Sequence, residues 1–259
     1  MAQQGSLDEE LAALEGRVAA GETDRRALGF SSFLRRVKRD PEARERLAER
    51  VGAVDRRLFE ARKRVIPIPV GLTILLAQTI VLAAVVPVAL ALARGMDRPR
   101  PGLAGLLLVG AAVGLSVSVH GPAHWIAGRT MGMRFVGWFL GGPFRIQPGL
   151  KVDQASYLRA DPTSRAAMHA AGAIASKVAP FAVFGVAYVQ HARAGWELVP
   201  EWSLWAILGF GALQIVTDVV WSTRRSDWMR VRRELRIARA EQGAVLSSRG
   251  DPGSSGQPG

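Results

Sequence analysis

VIPIPVGLTILLAQTIVLAAVVPVALALA, residues 65–93, decides the fold, because it is a long apolar run without a single charge. A helix needs about 20 such residues to cross the ~30 Å hydrocarbon core of a bilayer. The run therefore predicts a membrane span over about 66–93. A second uncharged run, Pro101 to Gly128, predicts another over about 103–128. Ala166 to Ala192 carries only Lys177, and Trp202 to Thr223 only Asp218, which sets two further spans at about 165–190 and 202–223. The chain of 259 residues reads as an all-α polytopic membrane protein with about four transmembrane helices. Its membrane core is expected over 65–235, after a helical cytosolic region over 1–64 and before a basic helix end and tail over 236–259.

The 34 Lys and Arg against 22 Asp and Glu give a net charge of +12. In a soluble chain that balance would suggest nucleic acid. Here it flanks the spans, so the expected partner is the lipid bilayer and no nucleic acid is expected. Arg62, Lys63 and Arg64 precede the first span, and Arg129, Arg134, Arg145, Lys151, Arg159 and Arg165 lie between the second and third. Arg224, Arg225, Arg230, Arg232 and Arg233 follow the fourth, while Arg94, Arg98 and Arg100 run against the trend. The positive-inside rule then places both termini and the central loop in the cytoplasm of an inner or plasma membrane. Trp196, Trp202 and Trp205 would belt the outer interface, and Trp125, Trp221 and Trp228 the inner one. The chain has no cysteine, which excludes disulfides and thiolate metal sites. No secretory signal is visible, so the first span is expected to be an uncleaved anchor.

Ser6-Leu-Asp-Glu9 looks like a capping box, and Leu7, Leu11 and Leu14 have helical spacing. Gly21 to Asp24 reads as a break, and Asp40-Pro41 opens another charged helix. Two or three helices result, serving either as a docking module or as a solvated lead into the membrane. Gly110, Gly114 and Ser118 form a small-xxx-small row for close packing, on a different face from Ser116, His120, His124 and Gly128. From Met131 to Tyr157, short alternating runs broken by Gly141-Gly142-Pro143 and Gln147-Pro148-Gly149 predict a membrane-surface β-hairpin. Asp161-Pro162 supplies an N-cap and first-turn proline for the third span. Asp227 to Glu241 reads as a basic helix, and Gly250 to Gly259 as a disordered tail.

His120-Gly-Pro-Ala-His124 carries the chemistry. Two histidines four apart share one helix face, where they can ligate one metal, as in H-E-x-x-H. Gly121 occupies the position of the catalytic Glu. Counted from Arg129, Arg165 and Thr223 at ~1.5 Å per residue, His124, His169 and Asp218 lie ~6–8 Å deep and His120 ~13 Å. Ionisable groups inside a span tend to mark function, and these four share one layer on three helices. Lys177, ~18 Å deep by the same rise, is expected to pair with Asp218 or to snorkel. Asp227 also fits an ordinary helix N-cap, as Ser226-Asp227 precedes Trp228-Met-Arg230. His191 falls at the outer end of its span, away from the layer.

Taken in order, these segments resemble the site-2 protease family of intramembrane zinc metalloproteases. His120-Gly-Pro-Ala-His124-Trp-Ile-Ala-Gly-Arg-Thr-Met-Gly132 is similar to that family's metal helix. Ala170-Ala-Gly172-Ala-Ile-Ala-Ser176 resembles its A-G-P-x-A-N segment, with Ala173 for Pro and Ser176 for Asn. Ser226-Asp227-Trp-Met-Arg230 has the register of its L-D-G-G-R motif, with Trp228 for Gly and no preceding Asn-x-x-Pro. The similarity covers about residues 67–235. It implies zinc held by His120, His124 and Asp227, although depth favours Asp218 over Asp227; the shared depth layer adds His169 as a fourth ligand or supporting partner. It also implies cleavage of a transmembrane segment by a metal-bound water. Loss of a general base costs roughly 10²–10⁴-fold, so Gly121 argues for a pseudoprotease. Three functions stay open: a metallopeptidase, a non-catalytic scaffold or regulator binding a transmembrane-helix partner, and a small transporter using a His/Asp/Lys polar relay.

Overall fold

The computed structural model describes residues 2–95, 99–141, 147–194, 198–220 and 226–249. Trp196, Trp221, Arg98, Arg145, Arg224, Arg225, the Gly142-Pro143 pair and the tail expected from Gly250 lie outside these residues.

Three helices open the chain: α1 (Ala2–Ala19), α2 (Phe30–Arg39) and α3 (Pro41–Glu60). α1 starts upstream of Ser6, which therefore sits inside the helix and does not cap it. Gly21 turns the chain with φ 93°, a left-handed conformation that favours glycine. Asp40 ends α2 and caps α3, its carboxylate accepting from the Ala43 N–H at 3.0 Å. Leu11, Phe30, Phe33, Val37, Leu47, Val51 and Leu58 are buried together. Ala155 and Leu158, from a later segment of the chain, join the same core.

α4 (Ile68–Arg94) follows, then α5 (Pro101–Ser118) and α6 (His120–Thr130), which continue one another except for a break at Val119. Pro122 causes the break. It has no N–H to give the Ser118 carbonyl, so the helical ladder skips there. Strands β1 (Phe135–Gly141) and β2 (Gln147–Val152) pair antiparallel, with Trp138 opposite Leu150 and an irregularity between Phe135 and Gly137. Ile66 adds a single bridge to Trp138, with N–H···O distances of 2.7 and 2.8 Å. The expected hairpin is therefore present, and the chain entering α4 is pinned to it.

α7 (Gln154–Arg159), α8 (Pro162–Arg193), α9 (Glu201–Val220) and α10 (Asp227–Arg249) complete the order. Asp161 caps α8 through the Thr163 N–H at 3.3 Å, as its Asp-Pro start predicts. α8 is the central helix, packing on α5, α6, α9 and α10. Leu90, Ala104, Leu108, Val183, Ala187, Leu204 and Ile207 form a core among α4, α5, α8 and α9. Large apolar side chains such as Ile74, Ile80, Val81, Leu106 and Trp205 face outward.

Three helices among the described residues are long and apolar enough to cross a membrane: Ile68–Arg94, Pro101–Thr130 and Pro162–Arg193. They correspond to the first three expected spans. The fourth expected span corresponds to α9, which is not one of these three. Its expected end, residues 221–223, lies outside the described residues. Arg165, taken as the inner edge of the third expected span, is fully buried and held by Glu234 and by the Leu158 and Ala160 carbonyls.

Candidate metal centre

α6 supplies two imidazoles on one face, their ring centroids 4.6 Å apart and perpendicular. Each is aimed by a backbone carbonyl of α8. His120 Nδ1–H donates to the Gly172 carbonyl at 3.0 Å, and His124 Nδ1–H to the Met168 carbonyl at 2.7 Å. A carbonyl only accepts, so Nδ1 holds the proton of each neutral ring and Nε2 presents a bare lone pair. Such a bond through the far ring nitrogen orients most metal-binding histidines. α8 comes this close because residue 172 is glycine: a Cβ there would stand 2.2 Å from His124 Nε2.

Asp227 opens α10, but its carboxylate is not the cap. Ser226 Oγ accepts from the Met229 N–H at 3.3 Å, which leaves the Asp227 side chain free to turn inward. Its Oδ2 lies 3.2 Å from His120 Nε2 and 3.3 Å from His124 Nε2, and the two Nε2 atoms are 3.2 Å apart. Three acceptor atoms thus converge on one point. With metal–ligand distances of about 2.0–2.1 Å, the edge of a zinc tetrahedron is ~3.3 Å. The observed triangle has that edge on all three sides.

His120, His124 and Asp227 could therefore hold a divalent ion between them. Asp218 does not join them. It pairs with Lys177, across a polar cleft of about 330 Å³ that His120, Ser176, Gln214 and Asp227 also line. Depth counting placed Asp218 with the histidines from Thr223, which lies outside the described residues. His169 stands beside the triangle, its Nδ1 3.6 Å from Asp227 Oδ1 and its Nε2 3.0 Å from the Tyr157 hydroxyl. His191, at the other end of α8, accepts from the Val199 N–H at 3.3 Å.

Gly121 faces away from any room for a larger side chain. A Cβ there would meet the Trp138 indole at 2.5 Å, and a Cβ on Gly71 would meet the same ring at 2.0 Å. The indole is wedged between α4 and α6, in the direction a residue-121 side chain would take.

Several residues of this centre escaped sequence reading. The Met168 and Gly172 carbonyls act through the backbone and carry no side-chain signal. Tyr157 and Trp138 are ordinary aromatics of short segments. Glu234 did leave a trace, as a lone acid among Arg230, Arg232, Arg233 and Arg236. Comparison of the chain with protein-family models, curated proteins and solved structures finds no match in any of the three.

Proposed function

We propose that this chain is a polytopic membrane protein that binds one divalent transition ion, zinc first, and acts as a binding or regulatory protein rather than a peptidase. The equilateral triangle of His120 Nε2, His124 Nε2 and Asp227 Oδ2 carries this reading. Two bare lone pairs and a carboxylate oxygen at that spacing repel one another unless a cation lies among them. Imidazole and carboxylate donors without thiolate suit zinc and its neighbours in the first transition row. α9 acts as a fourth span, and both termini and the hairpin side face the cytoplasm. The resemblance to site-2 proteases supports the same ligand set, with Asp227 rather than Asp218 as the third member.

The non-hydrolytic half of the proposal rests on Gly121. The general base is absent, and the Trp138 indole fills the space its side chain would need. A second reading, a small ion pathway, draws on the Lys177–Asp218 pair and the cleft beside His120. In that reading the cleft is the route by which the ion enters and leaves.

Metal analysis of the purified full-length protein tests the proposal. The expected result is about one zinc per chain, lost on chelation, and lost in both His124→Ala and Asp227→Ala while Asp218→Asn retains it. Zinc retained in Asp227→Ala would reject the ligand set, and transport of the ion into sealed vesicles would favour the second reading.

A further inference from the structure

Resting on the metal-binding reading above, we infer that the N-terminal helices set the affinity of the centre, by holding α10 at the rotation and height that present Asp227 to the two histidines. The inference follows from the pattern along one face of α10. Asp227, Glu234 and Glu241 recur every seven residues, with Val231 and Ala238 between them at spacings of four and three. That is the spacing of a heptad seam, two turns per repeat along one side of a helix. Val231, Glu234 and Ala238 are buried, whereas Arg232, Arg236 and Arg239 face outward. Such a seam ordinarily interlocks through large apolar side chains. Here every second position is an acid and the positions between are the small Val231 and Ala238, so the rotation of the helix depends on where its acids find cations.

Each acid meets a different part of the chain. Asp227 faces His120 and His124 of α6. Glu234 takes Arg165 of α8 at 2.7 Å and Lys38 of α2 at 2.8 Å. Glu241 meets Arg44 of α3 at 2.7 Å, and Arg44 is itself buried. Two of the three acids are therefore held from the N-terminal helices. Phe30, Phe33, Val37, Ala43, Leu47 and Val51 pack α2 and α3 into one core, so Lys38 and Arg44 are presented by a single packed body. Glu241 lies 14 positions from Asp227, about 21 Å along the helix and out of reach of the ion. A slide of α10 by one residue's rise, ~1.5 Å, is large against a carboxylate–zinc distance of about 2.0–2.2 Å, so a loosened far end is felt at Asp227. Linkage makes the effect reciprocal: an ion that favours this position of α10 also favours the docked N-terminal helices.

Competitive zinc titration of the purified full-length protein in detergent is the test, comparing wild type with Arg44→Glu, Glu241→Arg and the charge-swapped double variant. Each single variant sets like charges against each other and is expected to weaken zinc binding by about 2–30-fold, with the double variant restored to near the wild-type value. Zinc is also expected to slow hydrogen exchange of α2 and α3 in the wild type and not in the single variants. Single variants that bind zinc as tightly as the wild type overturn the inference, as does exchange in α2 and α3 that ignores zinc. A double variant no tighter than the singles overturns it too, because the loss then comes from general damage to the fold. All three results leave the ligand set of His120, His124 and Asp227 standing, whereas a wild type that takes up no zinc rejects that set. If a single variant does not fold, Glu241→Gln takes its place, and wild-type affinity there overturns the inference.

Discussion

Gly172 does two things at one residue: its carbonyl accepts from His120, and its missing side chain makes room for His124. A methyl group at 2.2 Å from Nε2 cannot be absorbed by a small shift, because the same imidazole is tied to the Met168 carbonyl. Gly172→Ala is therefore expected to lower zinc affinity by at least 10-fold, the scale on which metal sites lose affinity when a ligand's supports are disturbed. Equilibrium zinc titration of the purified variant reads the effect, and circular dichroism should show helix content unchanged. The histidines themselves were legible from their spacing, because four residues along a helix return to the same face. The third member was not legible from the residues alone. Asp218 and Asp227 differ by nine positions, and nothing in the string shows that Lys177 captures the first while Ser226 releases the second from capping duty.

At the scale of elements, β1 acts as a wedge. Trp138 is buried between α4 and α6, where Gly71 and Gly121 both yield space to its ring. Gly121→Glu should therefore lower the unfolding temperature, and removal of the indole by Trp138→Ala should cost about 3–5 kcal/mol. The double variant should be more stable than the sum of the two losses, since each relieves the other. Thermal unfolding of all three in detergent checks this, and a double variant no better than additive would reject the wedge. Peptide hydrolysis, if it can be restored, should appear in the double variant and not in Gly121→Glu alone. The apolar helices and the hairpin were readable because long uncharged runs and glycine-proline breaks are local signals. The wedge was not, since it depends on which strand residue meets which helix.

Across the whole molecule, ion pairs fasten the N-terminal helices to the rest. Arg56 meets Asp153 at 3.1 Å, Arg44 meets Glu241 at 2.7 Å, and Lys38 reaches Glu234 at 2.8 Å. Glu234 is the deepest of these acids, joined to α2, α7 and α8 at once. Its folded-state carboxyl lies below the ordinary value. It thus contributes stability that is present above the unfolded value of about 4.3 and is lost as pH falls below it. Glu234→Gln should destabilise by about 3–5 kcal/mol at pH 7, because Arg165 and Lys38 are left buried with less than their partner. The gap between wild type and variant should close as pH falls below about 5, when measured by unfolding across pH. Equal gaps at pH 2 and pH 7 would reject this role. Charge counting found the basic helix but not its one buried acid, because burial is a property of the assembled fold.

The two histidines and Asp227 are separated by more than their distance in space suggests: His124 and the carboxylate that faces it are 103 positions apart in the chain. During synthesis the histidine helix is finished long before its counterpart emerges. Between those moments come the hairpin, α7, α8 and α9. A nascent chain that ends before Ser226 offers an ion two imidazoles and nothing to neutralise its charge. On the proposed metal-binding reading, tight capture is a late event in biogenesis, and occupancy of the centre would distinguish a finished molecule from one still being made.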